Sequence, residues 1–184
     1  RMVKTYFAVL FMGVFCMAST GSAYEAAYPK TPNGTIDIKI IPAAKLMVTE
    51  DTGNYFDHNN DMFRSLFRYI SANEVSMTVP VEAQVEKAQM TFYVGSSDLE
   101  KELADQGNVK VLNVPERTVA SIGIRGSYSK KNFEKNREKL IAWLAENPRY
   151  QPAGEAYAVY WDAPFVPWFM KHSEVHIPVT DQGQ

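Results

Sequence analysis

The chain has 184 residues and a mass of 20.8 kDa, room for one domain or two very small ones. Hydrophobic residues make up 46% and charged residues 22%, which excludes a disordered chain. A formal net charge of −2 excludes a general nucleic-acid binder, and a lone cysteine excludes an intramolecular disulfide or a cysteine-rich zinc site.

Residues 1–23 have the three-part layout of a secretory signal peptide: Arg1 and Lys4, then an uncharged apolar run over 6–18 (YFAVLFMGVFCMA), then small residues with Gly21 and Ala23 at cleavage-site spacing. The apolar run is shorter than the ~20 residues of a comfortable bilayer span, so an uncleaved anchor is the alternative. Phe15 before Cys16 argues against a lipoprotein. Arg1 before Met2 suggests an upstream extension or a trimmed reading frame. The segment carries two basic residues and no acidic ones, so cleavage leaves 161 residues with a formal charge of −4 and no cysteine. The expected location is exported, periplasmic or secreted, with no stable membrane span after cleavage.

Residues 24–35 read as an extended leader, with two prolines and a glycine. Ile36, Ile38 and Ile40 alternate with Asp37 and Lys39, the period-2 signal of a half-buried strand, and 45–50 (KLMVTE) forms a second one. Met62, Phe63, Leu66, Phe67 and Ile70 then fall on one helix face over 61–70, with Asn59, Asn60 and Asp61 as N-cap candidates and His58 in the loop before them. Strands are predicted at 77–81 (MTVPV) and 89–94 (QMTFYV), and a short helix at 97–107, capped by Ser97 and ended by Gly107. Strands at 110–114 and 118–124 follow, then a helix carrying Phe133, Arg137, Leu140, Ile141 and Leu144 that stops at Asn147 before Pro148. Final strands are predicted at 157–161 (YAVYW) and 174–179 (EVHIPV).

The second half restates the first. At one offset of 73 residues, Pro42 meets Pro115, Gly53 meets Gly126, Tyr55 meets Tyr128, Phe67 meets Leu140 and Ile70 meets Trp143. The reading is α+β: two tandem β-α-β-β repeats, about 36–94 and 108–179, in one domain over 36–180 with a tail at 181–184. They form a curved antiparallel sheet with two long helices on one face. The opposite face is expected to be the more polar one.

The strand pair at 36–50, the helix end Phe67-Arg68-Tyr69-Ile70, the MTVPV motif and the tail Tyr160-Trp161-Asp162-Ala163-Pro164, Pro167, Glu174-Val175 together resemble the SOUL haem-binding family. The likeness covers about 36–179 and extends in fold to effector-binding domains of bacterial regulators. It implies a monomeric or weakly oligomeric protein that holds haem or a related porphyrin non-covalently and reversibly in a shallow apolar groove beside the first long helix. Some members offer a histidine on the first strand to the iron. Ile40 or Ile41 stands there in this chain, so docking is either without protein ligation or through a ligand from elsewhere.

A haem site needs an apolar slot, basic residues at its rim and optionally a His or Met for iron. Phe63 and Phe67 with Arg64 and Arg68 meet that need on the first helix, although core packing also accounts for the two rings. The loop 165–172 (FVPWFMKH) offers Phe165, Trp168, Phe169 and Met170, then Lys171 and His172. Four bulky apolar residues in a proline-containing loop are hard to bury and mark a binding surface. His172 is the candidate iron ligand. His172 and His176 are four apart on a strand, ~13 Å, too far to share one metal. There is no G-x-S-x-G, P-loop or dinucleotide fingerprint, so no enzyme is expected. Two alternatives remain: a binding module for another amphipathic small molecule, or an enzyme using Glu174 as a groove carboxylate.

Overall fold

Strand alternation decides which way each side chain faces, and here it fills both faces of one sheet. The computed structural model describes residues 24–183; the signal-peptide expectation for 1–23 lies outside them. The elements are β1 (Glu25–Ala26), β2 (Ile36–Ile41), β3 (Ala44–Glu50), α1 (Tyr55–Ala72), β4 (Thr78–Val79), β5 (Val81–Gln84), β6 (Gln89–Tyr93), β7 (Val109–Val114), β8 (Arg117–Arg125), α2 (Lys130–Glu146), β9 (Tyr150–Pro152), β10 (Tyr157–Tyr160) and β11 (His172–Asp181). The main sheet runs β2-β8-β11-β10-β5-β6-β3-β7, antiparallel throughout, with β9 against the end of β11. Exchanging the two halves of the chain returns the same order in reverse. Gly53 and Gly126 each hold a positive φ, 117° and 127°, at the turn that leads into a long helix.

The architecture is the expected α+β one. α1 packs on β3 and β6, and α2 on β8 and β11. Met62, Leu66 and Ile70 of α1 and Phe133, Leu140 and Leu144 of α2 are buried against Met47, Phe92, Ile122, Val175 and Ile177. Period 2 along β8 explains the second face. Ala120, Ile122 and Ile124 point to the helices, while Val119, Ser121 and Gly123 point away. Along β11 the odd residues Val175, Ile177 and Val179 take the helix side, leaving Glu174 and His176 on the other.

That second face is the more polar one, as expected, carrying Glu82, Glu174 and His176, but it is also covered and partly apolar. Ile41, Leu46, Val48, Tyr93, Val119, Tyr157, Val159 and Trp161 form an apolar layer on it, completed by Tyr28 and Val79. The leader covers it. β1 pairs parallel with β4, and Gly34 and Thr35 bond the backbone of Gly123. A Cβ on Gly123 would stand 2.2 Å from the Pro32 carbonyl oxygen, so only glycine lets the leader lie this close.

Four local expectations need correction. α1 begins at Tyr55, capped by the Asn54 side chain accepting from Phe56 N–H at 3.0 Å, because burying the Tyr55 ring rewards the extra turns; His58 therefore lies in the helix, beside Asp51 at 3.3 Å. Residues 97–107 form only a single-turn 3-10 segment at Ser96–Asp98. Their carbonyls are engaged by other elements: Leu99 O accepts from Lys45 Nζ at 2.6 Å and Ala104 O from the Tyr69 hydroxyl at 2.8 Å. The 77–81 strand is divided at the cis Val79–Pro80 bond into β4 and β5. Ile40 is 59% exposed, since β2 is an edge strand.

Candidate functional site

One face of α1 does not pack against the sheet. Phe56, Asn59, Asn60, Phe63 and Phe67 recur at spacings of three or four and wall a cavity of about 500 Å³. Facing them are Met77, Val79 and Val81 of the MTVPV segment, Met90 of β6, and Tyr160 to Phe165 at the end of β10. Tyr24, Tyr55, Tyr128 and Lys171 complete the wall. The volume is that of a small-molecule site.

The aromatic walls support one another. Phe63 and Phe67 stack with centroids 6.0 Å apart, and Phe63 meets Phe92 edge-on at 5.4 Å. Tyr128 lies 4.3 Å from Tyr160, its hydroxyl donating to His172 O and accepting from Asp162 N–H, each at 2.8 Å. Burial raises the Tyr55, Tyr128 and Tyr160 phenols, so these three rings stay uncharged. Lys171 Nζ sits 4.9 Å from the Tyr128 centroid, a cation at the rim.

Of the residues singled out in the sequence, Phe63, Phe67, Phe165 and Lys171 line this cavity, with Phe67 51% and Phe165 86% exposed. Arg64, Arg68, Trp168, Met170 and His172 lie off its wall. Arg64 pairs with Asp61 at 3.5 Å on the helix exterior. His172 opens β11, its Nδ1 3.3 Å from Asp162, a wall residue. Sequence reasoning missed Met77, Met90, Tyr128 and Tyr160. The MTVPV motif carried the signal for Met77; the tyrosines needed the fold to bring β8 and β10 together.

Glu174 lies off the wall of this cavity, within the fold. It is 1% exposed and accepts five hydrogen bonds: Thr31 N–H and Trp161 Nε1–H at 2.8 Å on Oε1, and Lys39 Nζ (2.6 Å), Ser121 Oγ (2.8 Å) and His176 Nε2 (2.6 Å) on Oε2. Burial alone would raise its pKa, but the hydrogen bond from His176 and the bond and charge of Lys39 outweigh it and hold it at about 2. Burial pushes His176 below its ordinary value, so the ring is neutral: Nε2–H donates to Glu174, and Nδ1 accepts from the Tyr157 hydroxyl at 3.1 Å. Arg117 donates to Tyr157 and, through Nη2, to both oxygens of Glu82 at 2.8 and 2.9 Å. Tyr28 and Tyr93 each give Glu82 a further bond at 2.7 Å. Trp161 joins the two regions, since the residue lines the cavity while its indole packs on the second face with its N–H held by Glu174. Among the described residues no cluster of His, Cys, Asp and Glu could hold a metal ion.

A family model described as SOUL heme-binding protein matches residues 23–178. No curated protein matches the chain in sequence. Among solved structures, the C-terminal domain of EcmrR is similar at 16% identity and a TM-score of 0.63, over 80% of this chain and 98% of that one. The EcmrR chain in a DNA complex is similar at 14% identity and a TM-score of 0.64; the match covers 80% of this chain and only 57% of that longer one. A hydrolase from Listeria innocua is similar at 10% identity and a TM-score of 0.54, over 82% of this chain and 94% of that one. At these identities the likeness is one of fold.

Proposed function

The chain belongs to the SOUL haem-binding protein family, and we propose that it binds haem or a related tetrapyrrole reversibly in the cavity between α1 and the 161–171 segment. The observation that carries this reading is the slot itself: Phe63, Phe67 and Phe165 in a wall that is mostly apolar and aromatic, with Lys171 at the rim and Asp162 held by His172. A flat apolar disc would bury the exposed halves of Phe67 and Phe165, and a carboxylate at its edge would meet Lys171.

The residues fit a tetrapyrrole held by enclosure better than one held through iron. The wall offers the thioethers of Met77 and Met90 and no imidazole. His172 is the imidazole nearest by connection, fixed beside Asp162. Bound haem would supply the iron chemistry; the chain's part is to orient the disc, exclude water from its buried face and pair its carboxylates. The missing imidazole also favours a second reading, a metal-free porphyrin or another flat amphiphile. We assign no reaction to the cavity, because Glu174 is fully committed to donors within the fold.

Hemin titration of the purified protein should give a saturable Soret shift near one equivalent. Non-saturating absorbance equal to that of an unrelated protein would sink the reading. Tighter binding of protoporphyrin than of hemin would select the metal-free alternative. His172→Ala should leave the spectrum unchanged if enclosure alone holds the ligand. Export rests on the pattern of residues 1–23, and N-terminal sequencing of protein recovered outside the cytoplasm should begin at Tyr24.

A further inference from the structure

The loop after β10 exposes more apolar surface than the cavity uses. Phe165 is 86%, Trp168 66%, Phe169 54% and Met170 47% exposed, all within six residues. Only Phe165 lines the cavity. Isolated exposed apolar residues need no explanation, but a contiguous aromatic cluster does.

Two further observations indicate what covers it. First, the loop folds back on itself through backbone hydrogen bonds and is tied to β8. Val166 N–H bonds Ala163 O at 3.1 Å, Met170 N–H bonds Pro167 O at 2.9 Å, and Lys171 N–H bonds Trp168 O at 3.4 Å. Phe169 O accepts from Arg125 Nε at 3.0 Å. Each peptide group paired in this way can leave water at smaller cost than a free one. Second, the surrounding charge is positive. Arg125 and Lys171 flank the cluster, and Lys30 lies 5.2 Å from the Trp161 ring. None of the three enters an ion pair among the described residues. The one carboxylate of segment 161–171, Asp162, is turned to His172. This is a basic rim on a chain whose formal charge is negative.

Aromatic tips inside a cationic rim suit the headgroup region of an anionic lipid surface. A second copy of the chain would bring two cationic rims together. We propose that the 163–170 loop docks the protein on an anionic membrane surface, inserting Phe165, Trp168, Phe169 and Met170 and turning the cavity mouth toward the lipid. Among the described residues no helix is long and apolar enough to cross a membrane, so the contact is peripheral.

The test uses the full chain without added ligand, so it stands apart from tetrapyrrole binding. Brominated-lipid vesicles of phosphatidylcholine, with and without phosphatidylglycerol, are added while tryptophan emission is followed. Quenching is expected with the anionic vesicles, and Trp168→Phe should remove most of it, leaving Trp143 and Trp161. Converting Phe165, Trp168, Phe169 and Met170 together to Ser should weaken vesicle co-sedimentation about tenfold, and added salt should weaken the wild type too. Binding tethered only through residues 1–23 would give no Trp168-dependent quenching and overturn the proposal. Equal quenching by neutral vesicles would overturn its electrostatic half. A loop-dependent dimer in light scattering, with no quenching, would assign the patch to a second copy instead.

Discussion

The two faces of the sheet solve opposite problems. On the helix face, apolar side chains are left partly uncovered: α1 and α2 close most of the layer but leave a cavity edged by exposed Phe67 and Phe165. On the other face, Glu174, Glu82, Arg117, Lys39 and His176 are drawn in and bonded to one another by a leader that contains no helix. The buried Glu174 carboxylate beside His176 has both oxygens accepting from donors within the fold. The incomplete surface is the apolar one, and that is where a ligand has something to gain. Changes on the second face should therefore cost stability with little direct effect on binding, and changes on the cavity face the reverse.

The largest expected effect is Glu174→Ala. It strands the Lys39 cation and removes the acceptor for Thr31, Ser121, Trp161 and His176. Losing one partner of a buried ion pair costs about 3–5 kcal/mol, which urea denaturation would read directly. An unchanged midpoint would break the contrast between the faces.

Acid should act through the same centre. The Glu174 carboxyl is held at about 2, below its ordinary 4.5, so the stability it contributes is present above pH 4.5 and is lost as the pH falls toward 2. His176 is lowered from 6.5 by burial, so the unfolded chain gains a proton there first, and stability already declines as the pH drops through 6.5. The carboxylate's share is roughly 3 kcal/mol. Glu174→Gln should remove the lower limb of the profile and keep the upper one. Stability that stays flat or rises between about pH 7 and pH 3 would contradict the assignment.

Much of this contrast was legible in the sequence, though not the part that names the second face. α2 ended where Asn147-Pro148 demanded, and strand patterning located the main sheet's strands except β5, of which only Val81 fell in the predicted 77–81. Residues 157–161 (YAVYW) contain no position suited to solvent, which is the signature of a strand covered on both sides. Read that way, Lys39, Glu82, Glu174 and His176 stand out as polar residues at positions whose strand neighbours are buried. Several of their partners lie far off in sequence, Tyr28 54 residues from Glu82 and Thr31 143 residues from Glu174, and no local pattern reports pairing at that range. The aromatic loop was recognised because its excess of apolar residues is itself local. The cavity's tyrosines were not, because Tyr128 and Tyr160 meet only once β8, β11 and β10 are side by side.

Gly123→Ala should have an intermediate effect. Its Cβ would stand 2.2 Å from Pro32 O and 2.6 Å from Thr31 O, both backbone atoms that move only if the leader lifts. Overpacking of this kind costs about 1–3 kcal/mol. Because Thr31 N–H bonds Glu174, hydrogen exchange should accelerate in residues 25–35 before it does in α1. Uniform acceleration across both faces would mean that the leader is not a separable cover.

Phe67→Ala should leave the fold nearly as stable as before, within about 0.5 kcal/mol, since the ring is 51% exposed and rests on Phe63 rather than in the core. Its effect belongs to binding. A ligand that covers the exposed half of the ring gains roughly 1 kcal/mol from it, so hemin affinity should fall about fivefold while the melting temperature stays put. The pairing of the two readouts matters more than either alone. Lost stability with unchanged affinity would make Phe67 a core residue and move the ligand elsewhere, whereas lost affinity at constant stability is expected only of a side chain that the fold leaves half exposed for another molecule to cover.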